Sequence, residues 1–178
     1  MRWTIHRSNG ETPVPSEPAA TVFTRLGKPQ TGALLDTYTD WLADFRRRLA
    51  LHDAGVDALA RDLAERTPWT VRAAGSRRFR RPPVRAGRPP DVFCEVRPGS
   101  AICFEVELPE TLVRRPTMAR LRALSEDAAV EPRVVLVGEP EDHARQIAET
   151  ERMLRRAGLP VRVAAIAPAD ETITGADW

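Results

Sequence analysis

Lysine is almost missing from this chain of 178 residues: of its 27 basic side chains only Lys28 is a lysine, and the rest are arginine. Cysteine is scarce too. Two in a protein of this length do not make a disulfide framework, and a reducing cytosol is the simpler setting. No apolar run approaches the roughly 18 residues of a membrane span, so no membrane partner is expected. The opening MRWTIHRSNG carries no apolar core of a secretory signal, and the expected location is cytoplasmic. The histidines His6, His52 and His143 are scattered without ligand spacing. Glycine-rich phosphate loops, G-x-S-x-G elbows, paired zinc cysteines and internal repeats are absent. One absence is local: no acid occurs from Thr67 through Pro90.

That acid-free stretch holds seven arginines between Arg72 and Arg88, in a chain whose net charge is only +2. A GC-rich genome by itself favours Arg, Ala and Pro, so the positions matter more than the number. Hydrophobic residues make up 42% and charged residues 29%, the mixture of a globular domain that buries a core without staples. Residues 1–30, with Pro13, Pro15, Pro18 and Pro29, read as an extended proline-rich arm. An N-terminal helical segment over 31–54 carries Leu34, Leu35, Tyr38, Trp41, Leu42, Phe45 and Leu49 at helical spacing. Gly55 is expected to interrupt it, and a second helix with Val56, Leu59, Ala60 and Leu63 stops near Thr67-Pro68. An exposed edge of the first helix suits a homodimer or partner contact; the simpler reading is core.

Strand patterns follow at Trp69–Ala73, Asp91–Arg97 and Ala101–Leu108. Pro98-Gly99-Ser100 between the last two predicts a hairpin with a three-residue loop, pairing Arg97 with Ala101. A short helix opens at Pro116 with Thr117 as its N-cap. Val134–Val137 reads as a strand buried on both faces, then come a helix ending in Arg155 and Arg156 before Gly158, and a last strand over Val161–Ala167. A strand–helix–strand unit implies parallel pairing. The expected fold class is α/β: a mixed β-sheet flanked by helices, ordered helix, three strands, helix, strand, helix, strand. The core spans 55–168, and a frayed tail spans 169–178.

Alternation along the hairpin puts Glu105 and Glu107 on one face and Ile102, Phe104, Val106 and Leu108 on the other. In the assumed register Asp91 lies across from Glu107, Phe93 from Glu105 and Glu95 from Cys103, so Asp91, Glu105 and Glu107 converge. Like charges side by side on a sheet are destabilising. Mg²⁺ (or Mn²⁺) resolves the conflict by taking oxygen ligands, with the Val106 main-chain carbonyl as a further donor. The alternative is a solvated hairpin end whose acids are surface charges, paired with Arg114 or Arg115. Arg77, Arg78, Arg80, Arg81, Arg85 and Arg88 fall on the loop just before these acids, where they suit a nucleic-acid backbone. The alternative there is a solvated loop. Phe79 or Trp69 could stack on a base, though a single aromatic is more often core. Cys94 and Cys103 fall on opposite faces of the hairpin, which argues against a disulfide.

Pro90-Asp91 followed after thirteen residues by Glu105-Val106-Glu107 at a strand end resembles the PD-(D/E)xK nuclease superfamily, which includes type II restriction enzymes and Holliday-junction resolvases. The order of elements is similar to that superfamily's restriction endonuclease-like core over roughly residues 55–168. The resemblance implies a Mg²⁺-dependent phosphodiesterase acting on DNA, with Asp91 and Glu105 as the metal-binding acids. Glu107 stands where the family normally has lysine. With Lys28 the sole lysine, none can have migrated into that role, and Arg120 is the local cation of similar reach. Some restriction enzymes use E-x-E, and a carboxylate there can bind metal or take a proton from the attacking water. The same departure fits a nuclease fold that has lost activity and only binds nucleic acid.

Overall fold

Helix α1 runs unbroken from Lys28 to Arg66, straight through Gly55. The two helices expected on either side of that glycine are one. Gly55 does not end the helix; it faces the sheet, where an added Cβ would come within 2.5 Å of Val137 Cγ2 and 3.3 Å of Val106 Cγ1. The hydrogen atom in place of a side chain lets α1 lie close on the strands. Gly55→Val should therefore lower stability by about 1–3 kcal/mol through overpacking, read by denaturant titration. An unchanged midpoint would show that the helix does not press on the sheet there.

The structure, a computed structural model, describes residues 28–109, 111–112, 115–168 and 172–175. The proline-rich arm up to residue 27, Arg114 and the tail at 169–171 and 176–178 lie outside the described residues. The chain divides into two compact units, Met1–Arg47 and Arg48–Trp178. In the first, Tyr38, Trp41 and Phe45 stack in succession along α1, with centroids 6.0 and 5.6 Å apart.

The second unit is built on a six-stranded mixed sheet in sequential order: β1 (Thr70–Ala73), β2 (Val92–Arg97), β3 (Ser100–Glu107), β4 (Val130–Val137), β5 (Arg162–Ala167) and β6 (Thr172–Thr174). β1, β2 and β3 are antiparallel, whereas β3, β4 and β5 run parallel through the crossover helices α2 (Arg115–Ser125) and α3 (His143–Arg156). β6, which the sequence pattern left in the tail, pairs antiparallel with β5. His143 secures that edge: its Nε2 donates to the Gly138 carbonyl at 3.1 Å, leaving Nδ1 to accept from the Thr174 hydroxyl at 2.9 Å.

Two helix layers enclose the sheet. Val56, Leu59, Ala60 and Leu63 of α1 pack on one face against Val92, Cys94, Ile102, Phe104 and Val106. On the other, Leu121 of α2 and Leu154 of α3 pack against Val134, Leu136, Val163 and Ala165. A smaller cluster of Phe93, Ala101, Cys103 and Leu124 extends that face towards the hairpin. Cys94 and Cys103 are thus free and buried in different clusters, and burial pushes both thiols up to about 12. α3 ends in a Schellman arrangement, with Gly158 at φ 72° and Leu159 N–H donating to the Leu154 carbonyl at 2.9 Å. Among the described residues no helix is long and apolar enough to cross a membrane.

Candidate active site

The hairpin turns more tightly than the sequence pattern suggests. Arg97 pairs with Ser100 across Pro98-Gly99, and an irregularity between Glu95 and Arg97 shifts the register. Gly99 supplies the positive φ (77°) that a turn with proline before it requires. Glu95 therefore pairs with Ala101 and Phe93 with Cys103, not with Cys103 and Glu105 as assumed. Continued one step, this register sets Asp91 beside Glu105 rather than Glu107. The two-residue slip keeps every side chain on its expected face and changes only the partner.

Asp91 sits at the mouth of β2, where its Oδ2 accepts the Val106 N–H at 2.9 Å. Within a strand a residue's N–H and C=O project to the same side, so the Val106 carbonyl also faces the Asp91 edge. His52 of α1 approaches from the helix layer, with Nε2 3.6 Å from Asp91 Oδ2 and Nδ1 3.2 Å from Asp53 Oδ1. The Asp91 carboxylate outweighs partial burial and, with help from Asp53, holds the imidazole up at about 9. A cation stabilised in this way contributes fully below its ordinary value near 6.5, and the contribution fades as pH rises through about 9. In EDTA, His52→Ala should melt below the parent protein at about pH 6 and converge with it by about pH 10. A pH-independent gap would mean that packing, not charge, is what His52 supplies.

Glu105 is completely buried. Burial, and next the neighbouring Asp91, push its carboxyl up to about 7 against the opposing pull of Arg120 and Arg88. Arg88 Nη2 donates to Oε2 at 2.7 Å from a side chain that is 55% exposed. Arg120 Nε stands 2.8 Å from Oε1 in an ion pair without hydrogen-bond alignment. Arg120 is itself buried. Its Nη1 donates to the carbonyls of Arg85 (2.9 Å) and Ala86 (3.2 Å), and its Nη2 to that of Arg88 (3.2 Å). Those carbonyls belong to a tight turn in which Ala86 (φ 47°) and Gly87 (φ 85°) are both left-handed, the sign pattern of a type I′ turn. Alanine pays about 1 kcal/mol for that conformation. The Arg120 fork offsets the cost by gathering the carbonyls, and the turn in consequence aims Arg88 at Glu105.

Glu107 is held elsewhere. Its Oε2 accepts from the Thr111 hydroxyl, and its Oε1 from the Thr117 hydroxyl at 3.0 Å. Thr117 is thus not the N-cap of α2, which begins at Arg115, but a tether within its first turn. The structure brings Asp91 and Glu105 together, with the Val106 N–H tied to Asp91, and sets Glu107 apart.

The arginine block divides as well. Arg77, Arg78, Arg80 and Arg81 are exposed on the loop joining β1 to β2, near Phe79, which packs against the α1-side core. Arg85 and Arg88 belong to the turn on the α2 side, where Arg85 Nη1 lies 3.8 Å from Asp127 Oδ2. Sequence reasoning placed Arg88 among the phosphate-gripping residues and missed its contact with Glu105. It also missed His52, Thr111 and the anchoring role of Arg120. The acid-free run pointed towards Arg88, and the lack of a nearby lysine pointed towards Arg120 as a local cation; nothing in the sequence pattern points to His52 or Thr111.

Whether Mg²⁺ or Mn²⁺ suits this place depends on the oxygens on offer. Two neighbouring carboxylates repel each other, one buried oxygen of Glu105 lacks an aligned donor, and a main-chain carbonyl faces the same edge. Two carboxylates and a carbonyl, completed by water, are a donor set that such ions take. Among the described residues no three His, Cys, Asp or Glu side chains gather as a metal-holding group, so the fit is to a two-carboxylate site. No protein-family model, curated protein or solved structure matches this chain.

Proposed function

We propose that the protein is a metal-dependent nuclease that hydrolyses phosphodiester bonds in DNA, on a restriction endonuclease-like core. The observation that carries this reading is the meeting of Asp91 and buried Glu105 at the hairpin end, directly under an arginine-bearing turn. Asp91, Glu105 and the Val106 carbonyl would hold Mg²⁺ (or Mn²⁺), which when bound supplies Lewis-acid activation of the phosphodiester and of water. Arg88 gives the site a cation where Glu107 replaces the usual lysine. Arg77, Arg78, Arg80 and Arg81 grip the backbone farther along, in a contact that weakens with salt. Glu107 fixes Thr111 and Thr117 and so the start of α2.

A catalytically inactive nucleic-acid-binding module is the second reading, favoured by the two arginines that already neutralise Glu105. Purified protein incubated with duplex, single-stranded and branched DNA and with RNA, in Mg²⁺ or Mn²⁺ and in EDTA, separates the two. Metal-dependent products from DNA are expected. Intact substrates at every protein concentration overturn the nuclease, and salt-sensitive binding without products establishes the module. The protein-interaction reading, a homodimer through α1, draws on the exposure of Trp41 (47%) and Phe45 (39%). A monomeric sedimentation boundary for the same preparation overturns it.

A further inference from the structure

A cleft of about 500 Å³ opens beside the acid pair, between the Arg85–Arg88 turn and the first turns of α2. Its volume lies within the range of about 300–1,000 Å³ usual for sites that hold a small organic group. One wall is the turn, at Ala86 and Arg88; the other is a single face of α2, where Pro116, Ala119 and Ala123 recur at helical spacing. Thr117 and Arg120 of α2 line the cleft as well, but their polar ends are engaged by Glu107 and by Glu105 with the Arg85–Arg88 carbonyls. The exposed part of that wall is therefore the shallow apolar strip of Pro116, Ala119 and Ala123. Glu107 lines the cleft too, with both its oxygens turned to threonine hydroxyls, while the cations Arg88 and Arg120 line the same space. The strong polar group at the rim is the Arg88 guanidinium, half-exposed and in contact with Glu105 through one nitrogen.

A phosphate ester with a flat organic body matches these walls: the anion meets Arg88 and the body lies along Pro116, Ala119 and Ala123. We propose that the cleft is the subsite for the nucleoside next to the reacting phosphodiester. Its base and sugar pack on the small-residue face of α2 while Arg88 holds the phosphate. The choice of ligand rests on the nuclease reading. The space and its charge do not.

The probes are 5′-phosphorylated dithymidylate and an abasic dinucleotide of equal charge, titrated calorimetrically against the full chain in EDTA, where no cutting intervenes. Ala119 and Ala123 are exposed on α2, so Ala119→Trp and Ala123→Trp fill the cleft from outside without disturbing the core. Each should weaken dithymidylate binding about tenfold or more, the scale on which a filled pocket rejects its ligand, and leave the abasic probe within about twofold. Arg88→Gln should weaken both probes. Dithymidylate that binds Ala119→Trp and Ala123→Trp as it binds the parent, or fails to bind the parent, overturns the subsite. If the parent cuts DNA and the tryptophan variants bind and cut alike, the subsite falls and the nuclease stands. If the parent never cuts but the tryptophans still abolish dithymidylate binding, the nuclease falls and the cleft stands as a nucleotide-binding site.

Discussion

Asp91→Asn should stay folded, still bind DNA and lose cutting by about 10²–10⁴-fold. The magnitude is that of several kcal/mol of transition-state charge stabilisation, which a metal-activated site forfeits when a ligand is lost. Asparagine is the informative replacement because its amide oxygen can still accept the Val106 N–H that Asp91 Oδ2 accepts at 2.9 Å. The main-chain anchor survives and only the charge goes. The same change should remove any rise in melting temperature that Mn²⁺ brings, since an ion that binds only the native state stabilises by mass action. Cleavage and a Mn²⁺ shift that both persist in Asp91→Asn would mean that the acids are not the metal site. Loss of DNA binding along with cleavage would instead assign Asp91 to folding or docking.

The largest stability effect is expected at Arg120. Arg120→Met removes the buried cation paired with a fully buried carboxylate and strips donors from three main-chain carbonyls of the Arg85–Arg88 turn. Breaking a buried ion pair from one side costs about 3–5 kcal/mol, because the remaining charge stays buried without its partner. Arg120→Lys should rescue little, since a single ammonium cannot reproduce a fork that reaches three carbonyls and a carboxylate together. Arg88→Met should cost less, because its side chain is 55% exposed and leaves Arg120 in place on Glu105. Equal losses for Arg88→Met and Arg120→Met in urea titration would contradict this division of labour between an anchor and a rim cation.

Much of the framework was legible in the chain. Alternation placed Glu105 with Glu107 and Phe104 with Val106, because side chains of a strand repeat every second residue. The apolar run Val134–Val137 was a strand buried on both faces, as the structure has it. What alternation cannot see is a slip of two. Every face assignment survives such a slip while every cross-strand partner changes, so Asp91 was matched to Glu107 when its neighbour is Glu105. Glycine is a poor helix former, so local propensity predicts a break at Gly55 that does not occur. That Val137 lies within 2.5 Å of its missing Cβ is a property of the strand beneath it, not of the residues around it.

By its own pattern, the sequence determined an α/β sheet flanked by helices, the faces of the hairpin, the parallel strands and an arginine-rich loop before three acids. These follow from short-range periodicity and charge, which each segment carries independently of the rest. Tertiary structure alone decided that Arg88 and Arg120 meet Glu105, that His52 reaches Asp91, and that Glu107 turns away to two threonines. Such contacts join segments up to 39 residues apart, Asp91 and His52 among them, and burial sets their strength. A carboxylate sealed from water must find cations wherever packing brings them, and no local spacing announces which ones those are.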